Sequence, residues 1–359
     1  MTPISICVIA KNEEKNINTF LSSIKKSMNE YPYEIVLVDT GSSDNTVDIA
    51  DRYECKLFTF QWADDFSAAR NFSIKCATND WILILDCDEY LIQADTSCFD
   101  QMIQQFPNGV GLITRHNHCL SAGNNRVFTD QVNRFFNKRL YHYEDIIHEQ
   151  LVANDQNPYQ LVTIPLVVDH VGYIGSQEEL LQKANRNNKL LFRALKESPN
   201  DPYLYFQLGQ SYNMINDSKN AYIYYKKGLE YTENPHIEYV SLMVLGYGES
   251  MIKLGLYEEA LSLEKLKDKF DTTPEFACLM GNIYLYNKQY VNAMKEFLKA
   301  TTYPYAEMEG SNTYIPLYRM GYINEILGDT ASAKKLYESC GDYPAARKRL
   351  HFLSDSETV

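Results

Sequence analysis

Apolar runs of strand length alternate with amphipathic stretches through the first half of the chain. Residues 4–10, 34–38, 56–60, 81–85 and 110–114 are the runs. Between them Ile17, Leu21 and Ile24 recur at helical spacing, and residues 47–53 and 68–77 make two further short helices. Strands that are apolar throughout and separated by helices predict a parallel sheet covered on both faces. Ligands of such α/β sheets bind beyond the carboxyl ends of the strands. The residues just after each strand are therefore the ones to inspect.

The second half follows a different rule. Gly209, Gly248, Gly281 and Gly321 each precede an alanine by twelve residues: Ala221, Ala260, Ala293 and Ala333. Tyr205, Leu208, Gly209, Tyr212, Ala221, Tyr225 and Gly228 recur at identical intervals as Ala277, Met280, Gly281, Tyr284, Ala293, Phe297 and Ala300. Small residues let paired helices approach, and aromatic rings fill the neighbouring layers. The segment from about 200 to 345 resembles tetratricopeptide repeats, with degenerate second and fourth copies. The predicted organisation is an α/β domain at 1–175, a linking helix at 176–199 and all-α repeats at 200–359. Lys183 and Arg186 on that helix read as surface charge.

Charge narrows the function. The 359 residues hold 34 Lys+Arg and 47 Asp+Glu, a net −13. Residues 1–175 contribute 13 − 23 = −10, and the remainder 21 − 24 = −3. An acidic chain without a basic cluster excludes general nucleic-acid binding. No apolar run approaches the ~20 residues of a membrane span. Acidic residues near the start speak against a secretory leader. The eight cysteines show no C-x-x-C spacing and predict reduced, mostly buried thiols in a cytoplasmic protein.

Two strand ends carry candidate chemistry. Asp39 closes the second strand ahead of a turn that capping by Ser43 or Asp44 explains, whereas capping does not explain Asp39. The fourth strand runs into Asp86-Cys87-Asp88-Glu89. Three carboxylates in four residues repel one another unless something neutralises them, and a hard divalent cation, Mn²⁺ or Mg²⁺, is the economical answer. A dinucleotide fingerprint and a P-loop are both absent.

IAKNEEKNI, EIVLVDTGSSDNT and DDFSAARNFSIKCATNDWILILDCDE, in this order and spacing, resemble the family 2 glycosyltransferases of GT-A fold. That resemblance implies a Rossmann-like, mostly parallel sheet and an inverting enzyme using a nucleotide-diphosphate sugar, usually a UDP-sugar. By position, Ala10, Asn12, Glu13 and Cys87 would line the nucleotide and Asp39 would face the uracil. Arg70 would approach the diphosphate or close the nucleotide pocket. Asp86 and Asp88 would be the metal-binding D-x-D, with Asp86 nearer the ribose and Asp88 on the metal, and His170 would complete the metal shell.

Arg134-Phe135-Phe136 followed by His148-Glu149 resembles a subset of the family with H-E where others carry E-D. Glu149 then stands at the position of the catalytic base, with His148 as the fallback. A late H-x-GY before repeats further resembles the sublancin-type peptide S-glycosyltransferases. The implied acceptor is a Cys, Ser or Thr of a peptide or protein, with a homodimer through the repeats. A cell-surface glycan as acceptor, or a non-catalytic repeat scaffold, is the alternative. A nucleotidyltransferase would need a Gly-rich basic loop where Lys11-Asn12-Glu13-Glu14 stands.

Overall fold

A computed structural model, describing residues 1–28, 31–121, 124–232, 234 and 237–355, turns the first apolar run into β1 (Ile4–Ala10). After it come α1 (Glu14–Met28), β2 (Tyr33–Asp39), α2 (Thr46–Asp51), β3 (Lys56–Thr59), α3 (Phe66–Cys76) and β4 (Trp81–Ile84). Ile4, Ile6 and Val8 pack against Ile17, Phe20, Leu21 and Ile24 of α1. Cys7, Val36, Val38, Ile82 and Ile84 pack on the other face with Ile74 of α3. Both faces are covered, which is why these strands read as unbroken apolar runs.

The next elements are β5 (Glu89–Ala94), α4 (Ser97–Gln105), β6 (Val110–Ser121), β7 (Asn124–Asn137), β8 (Tyr141–Glu144), β9 (Gln150–Ala153) and β10 (Leu161–Tyr173). The eight-stranded sheet runs β3-β2-β1-β4-β7-β6-β10-β5, and β8-β9 form a separate ribbon. Pairs β1–β2, β1–β4, β2–β3 and β6–β10 are parallel. Pairs β4–β7, β6–β7 and β5–β10 are antiparallel, so the sheet is mostly but not wholly parallel. The run expected at 110–114 continues to Ser121, because its ladder with β7 persists where the apolar signal stops. Described cysteines 7, 55, 76, 87, 98, 278 and 340 are free thiols.

The chain divides into two compact units, Met1–Ser176 and Gln177–Val359. The segment expected as a linker is α5 (Gln177–Glu197), which packs on α6 (Pro202–Met214) and belongs to the second unit. Beyond it lie α7 (Ser218–Tyr231), α8 (Glu238–Lys253), α9 (Tyr257–Ala260), a 3₁₀ turn (Leu261–Leu266) and α10 (Lys267–Phe270). The last five are α11 (Pro274–Tyr286), α12 (Tyr290–Ala300), α13 (Tyr314–Ile326), α14 (Thr330–Glu338) and α15 (Pro344–Asp355). Each glycine of the repeat falls on the first helix of a pair and each alanine, fully buried, on the second. No helix among the described residues is long and apolar enough to cross a membrane.

The glycines are there for ring clearance. A Cβ on Gly209 would lie 2.4 Å from the Tyr225 ring, one on Gly281 2.6 Å from Phe297, and one on Gly321 2.7 Å from Tyr337. In the second copy Glu264 replaces the aromatic residue, and its second helix decays into the 3₁₀ turn. The fourth copy, by contrast, is regular. Gly246 presses Tyr225 from the other side, 2.6 Å from a built Cβ, so that ring cannot retreat. Gly209→Ala is expected to destabilise the repeat unit by about 1–3 kcal/mol. Urea unfolding followed by far-ultraviolet circular dichroism checks this, and an unchanged helical transition would refute the clearance argument.

Candidate functional site

The turn after β4 gathers the acidic cluster. Glu89 N–H donates to the Asp86 carbonyl at 2.9 Å, and Asp86 N–H donates back to Glu89 Oε2 at 3.1 Å. Asp86 is not left to a cation alone. Arg70 Nη2 and Arg134 Nη2 each reach its carboxylate at 2.9 Å. Burial raises the proton affinity of Asp86, but the two guanidiniums outweigh it and hold the carboxyl well below the usual range. Glu89, fully buried, pairs with Arg134 at 2.6 Å and Arg115 at 3.3 Å, and Arg115 grips Asp130 at 2.6 Å.

Arg70 is placed by α3. The Asp65 side chain caps that helix by accepting from Ala68 N–H at 2.9 Å. Asn71 staples α3 to β8, donating to the Tyr143 carbonyl at 2.8 Å and accepting from Tyr143 N–H at 2.9 Å. Phe66 N–H donates to the Ile146 carbonyl at 2.9 Å, which brings the 145–149 bend alongside. Arg70 Nε then donates to Glu149, so one guanidinium joins the candidate base to Asp86. Burial pushes the Glu149 carboxyl up, and Arg70 more than reverses this, leaving it lowered. While so paired Glu149 is a weak base.

Arg70 and Arg134 are each 7% exposed. Arg70 Nη1, Arg134 Nε and Tyr143 Oη find no hydrogen-bond partner among the described residues. Burial pushes the Tyr143 phenol up to about 12, so it stands here as a neutral hydroxyl beside Arg70.

Asp88 faces His170 of β10, with His170 Nε2 3.5 Å from its carboxylate. The buried Asn117 fixes that ring. Its amide nitrogen donates to Asp130 at 3.0 Å, so its oxygen accepts from His170 Nδ1 at 2.7 Å. With Nδ1 protonated, a neutral ring turns the Nε2 lone pair towards Asp88. A carboxylate and an imidazole nitrogen so placed can share a proton or a cation, and a backing Nδ1–H bond is the usual support of a metal-bound imidazole. Asp88 and His170 thus fit a divalent ion. No group of three His, Cys, Asp or Glu among the described residues closes a complete shell. Among the described residues, Asp86, Asp88, Glu89, Asp130 and Glu149 outnumber Arg70, Arg115 and Arg134 by two charges in this cluster. A cation would offset that excess for a polyanionic ligand.

The loops after β1 and β2 brace each other. Asn12, with φ 55°, accepts from Ser43 N–H at 2.8 Å and donates its own N–H to Ser42 Oγ at 2.9 Å. Glu13 N–H donates to Thr46 Oγ1 at 2.7 Å, and the Ala10 carbonyl accepts Thr40 N–H at 2.9 Å. The turn does use Asp39, whose carboxylate accepts from Gly41 and Ser42 N–H at 3.2 and 3.0 Å. Cys87 is 3% exposed and packs into the core, its thiol pushed up by burial and by the charges of Glu13 and Asp88.

His148, with φ 55°, lies in the bend before β9. His116 and His118 point to the opposite face of β6 from Asn117 and meet Asp169, His118 at 3.0 Å. Arg115, Asn117 and Asp130 carry the network with Arg134 and had no sequence signal beyond their place on strands, while Arg134 stood in the Arg134-Phe135-Phe136 segment without a role read for it. A cavity of about 470 Å³ lined by Asn108, Arg139, Tyr141 and Asp155 opens at the other end of β6 and β10, away from these groups.

Comparison with known proteins finds a different likeness in each half of the chain. Residues 5–147 match the Glycosyl transferase family 2 model, and residues 202–235 match a Tetratricopeptide repeat. A TPR repeat-containing protein of Synechococcus elongatus is 33% identical over 239 residues, 64% of this chain and 57% of that one. The SPbeta prophage-derived glycosyltransferase SunS of Bacillus subtilis is 26% identical over 234 residues, 64% of this chain and 54% of its own. The matches therefore span little more than half of these relatives. A solved structure of S. aureus TarS 1-349 in complex with UDP covers 94% of this chain and 91% of its own at 13% identity, with a TM-score of 0.37, too low to carry an argument.

Proposed function

We propose, for a chain that carries a family 2 glycosyltransferase domain followed by a tetratricopeptide repeat, transfer of a sugar from a UDP-sugar to a peptide or protein side chain with inversion. The observation that carries the reading is the facing pair Asp88–His170 inside a net-negative cluster at the carboxyl ends of the strands. A bound Mn²⁺ or Mg²⁺ there would supply the positive charge that stabilises a departing diphosphate. Ala10, Asn12, Glu13 and Asp39 on the braced loops would take the nucleoside, and Arg70 the diphosphate.

In the transfer, the acceptor heteroatom bonds to the anomeric carbon as the bond to the diphosphate oxygen breaks. The bonding electrons leave with the diphosphate, and the acceptor proton passes to Glu149. Stacked helix pairs offer a long surface for an extended chain, which favours a polypeptide acceptor presenting Cys, Ser or Thr.

The test is nucleotide release from UDP- and GDP-sugars with Mn²⁺, using a peptide library and a glycan as acceptors. Release dependent on UDP-sugar, metal and peptide supports the proposal, whereas transfer to the glycan alone replaces the acceptor. No release with any donor removes the catalytic reading. Glu149→Gln is expected to cut transfer about a hundred- to a thousandfold, and unchanged transfer would move the base to His148.

A further inference from the structure

We propose that Trp62 is the stacking platform for the nucleobase of the donor, a role that rests on the UDP-sugar reading above. Trp62 lies in the segment 60–65, which joins the carboxyl end of β3 to α3 on the ligand edge of the sheet. It is partly exposed and is not among the residues of either cluster that packs the two faces of the sheet. A large ring held in place outside the core offers contact area at little entropic cost.

Its place is fixed from both ends. Phe60 N–H donates to the Asp39 carbonyl at 2.9 Å, which ties the start of the segment to the residue proposed to face uracil. Two residues of chain span at most about 7 Å, so Trp62 stays close to Asp39. On its other side the indole meets Phe66 edge to face, with ring centroids 4.8 Å apart and planes at 70°. Phe66 and Arg70 are four residues apart on α3 and share a face of that helix, the face from which Arg70 reaches Asp86. The indole Nε1–H donates to Asp64 Oδ1 at 3.0 Å, which keeps the ring from turning. Trp62 thus stands between Asp39 and Arg70, the residues proposed for the two ends of UDP.

An edge-to-face contact covers at most one face of the indole. The other is a flat surface, and the planar group of the ligand that matches it is the base. The transferred sugar follows the diphosphate and so lies beyond Arg70. Uracil is therefore the occupant.

A platform acts on the base and is blind to the diphosphate, and the test uses that difference. The full chain with Mg²⁺ is titrated with UDP and with inorganic pyrophosphate, by calorimetry and by tryptophan fluorescence excited where uracil does not absorb. UDP is expected to quench the emission and pyrophosphate to leave it unchanged. Trp81 is 6% exposed and stacked on Phe135 at 5.1 Å, so Trp81→Phe should retain the quench. Trp62→Leu is expected to bind UDP about tenfold more weakly and pyrophosphate as wild type does, whereas Trp62→Phe, which keeps a ring face, should lose about threefold at most.

UDP binding that leaves the emission unchanged overturns the platform, as does wild-type UDP affinity in Trp62→Leu. An equal loss for UDP and pyrophosphate overturns it too, because that marks a general disturbance of the site. A loss in Trp62→Phe as large as in Trp62→Leu removes stacking. Should Trp62→Leu fail to fold, the quench in wild type and in Trp81→Phe still decides. If neither ligand binds the wild type, the donor reading falls and takes the platform with it.

Discussion

Asp88→Asn should lower sugar transfer by about four orders of magnitude while the protein melts at the wild-type temperature. The asparagine keeps the outline of the side chain, and the turn around it is held by Asp86 and Glu89, so the fold has little reason to change. What is lost is the charge that faces His170 Nε2 at 3.5 Å. Stabilising a diphosphate as it departs is an electrostatic task of several kcal/mol, and each 1.4 kcal/mol is about a factor of ten. Manganese electron paramagnetic resonance separates this role from packing. Wild-type protein with UDP should quench the free Mn²⁺ spectrum, and Asp88→Asn should leave it. Activity within tenfold of wild type, or transfer that survives excess EDTA, would defeat the metal assignment.

Position was easier to read in the sequence than partnership. The run 81–85 is apolar at every residue because β4 is buried on both faces, and this placed Asp86 and Asp88 at a strand end without any knowledge of neighbours. The repeat was legible for a similar reason: Gly209 with Tyr225 and Gly281 with Phe297 are short-range couples whose spacing repeats. Arg134 was marked only as part of the Arg134-Phe135-Phe136 segment, with nothing to show its role. Its partners, Asp86 and Glu89, lie 48 and 45 residues away and meet it only after β7 has paired with β4. The sequence therefore asked for a cation beside the acidic turn, and the fold answers first with two arginines. Asn117 was hidden for another reason. On β6 it sits between His116 and His118, which use the opposite face, so the strand shows no apolar alternation there at all.

Removing Arg134 should be the most damaging single change to the first unit's stability, about 3–5 kcal/mol for Arg134→Met. Methionine fills much of the volume, so the loss is electrostatic. Glu89, with a side chain only 1% exposed, would retain Arg115 at 3.3 Å, and Asp86 would retain Arg70 alone. A buried carboxylate that loses its closest guanidinium must either stay charged without adequate compensation or take up a proton. Both tryptophans, Trp62 and Trp81, lie in this unit, so urea unfolding followed by their fluorescence reports it without interference from the repeats. Adding Glu89→Gln should recover at least about half of the loss, because an amide oxygen still accepts Asp86 N–H while the stranded charge is gone. The acid limb gives a second reading. Asp86 binds its proton less tightly folded than unfolded, so its contribution is present above about pH 4 and is lost as the pH falls below that. Without Arg134 the depression is smaller, and the slope of stability against pH below about 4 should flatten. A variant that unfolds at the wild-type urea concentration, with the wild-type acid limb, would show that Arg134 does not hold this cluster together.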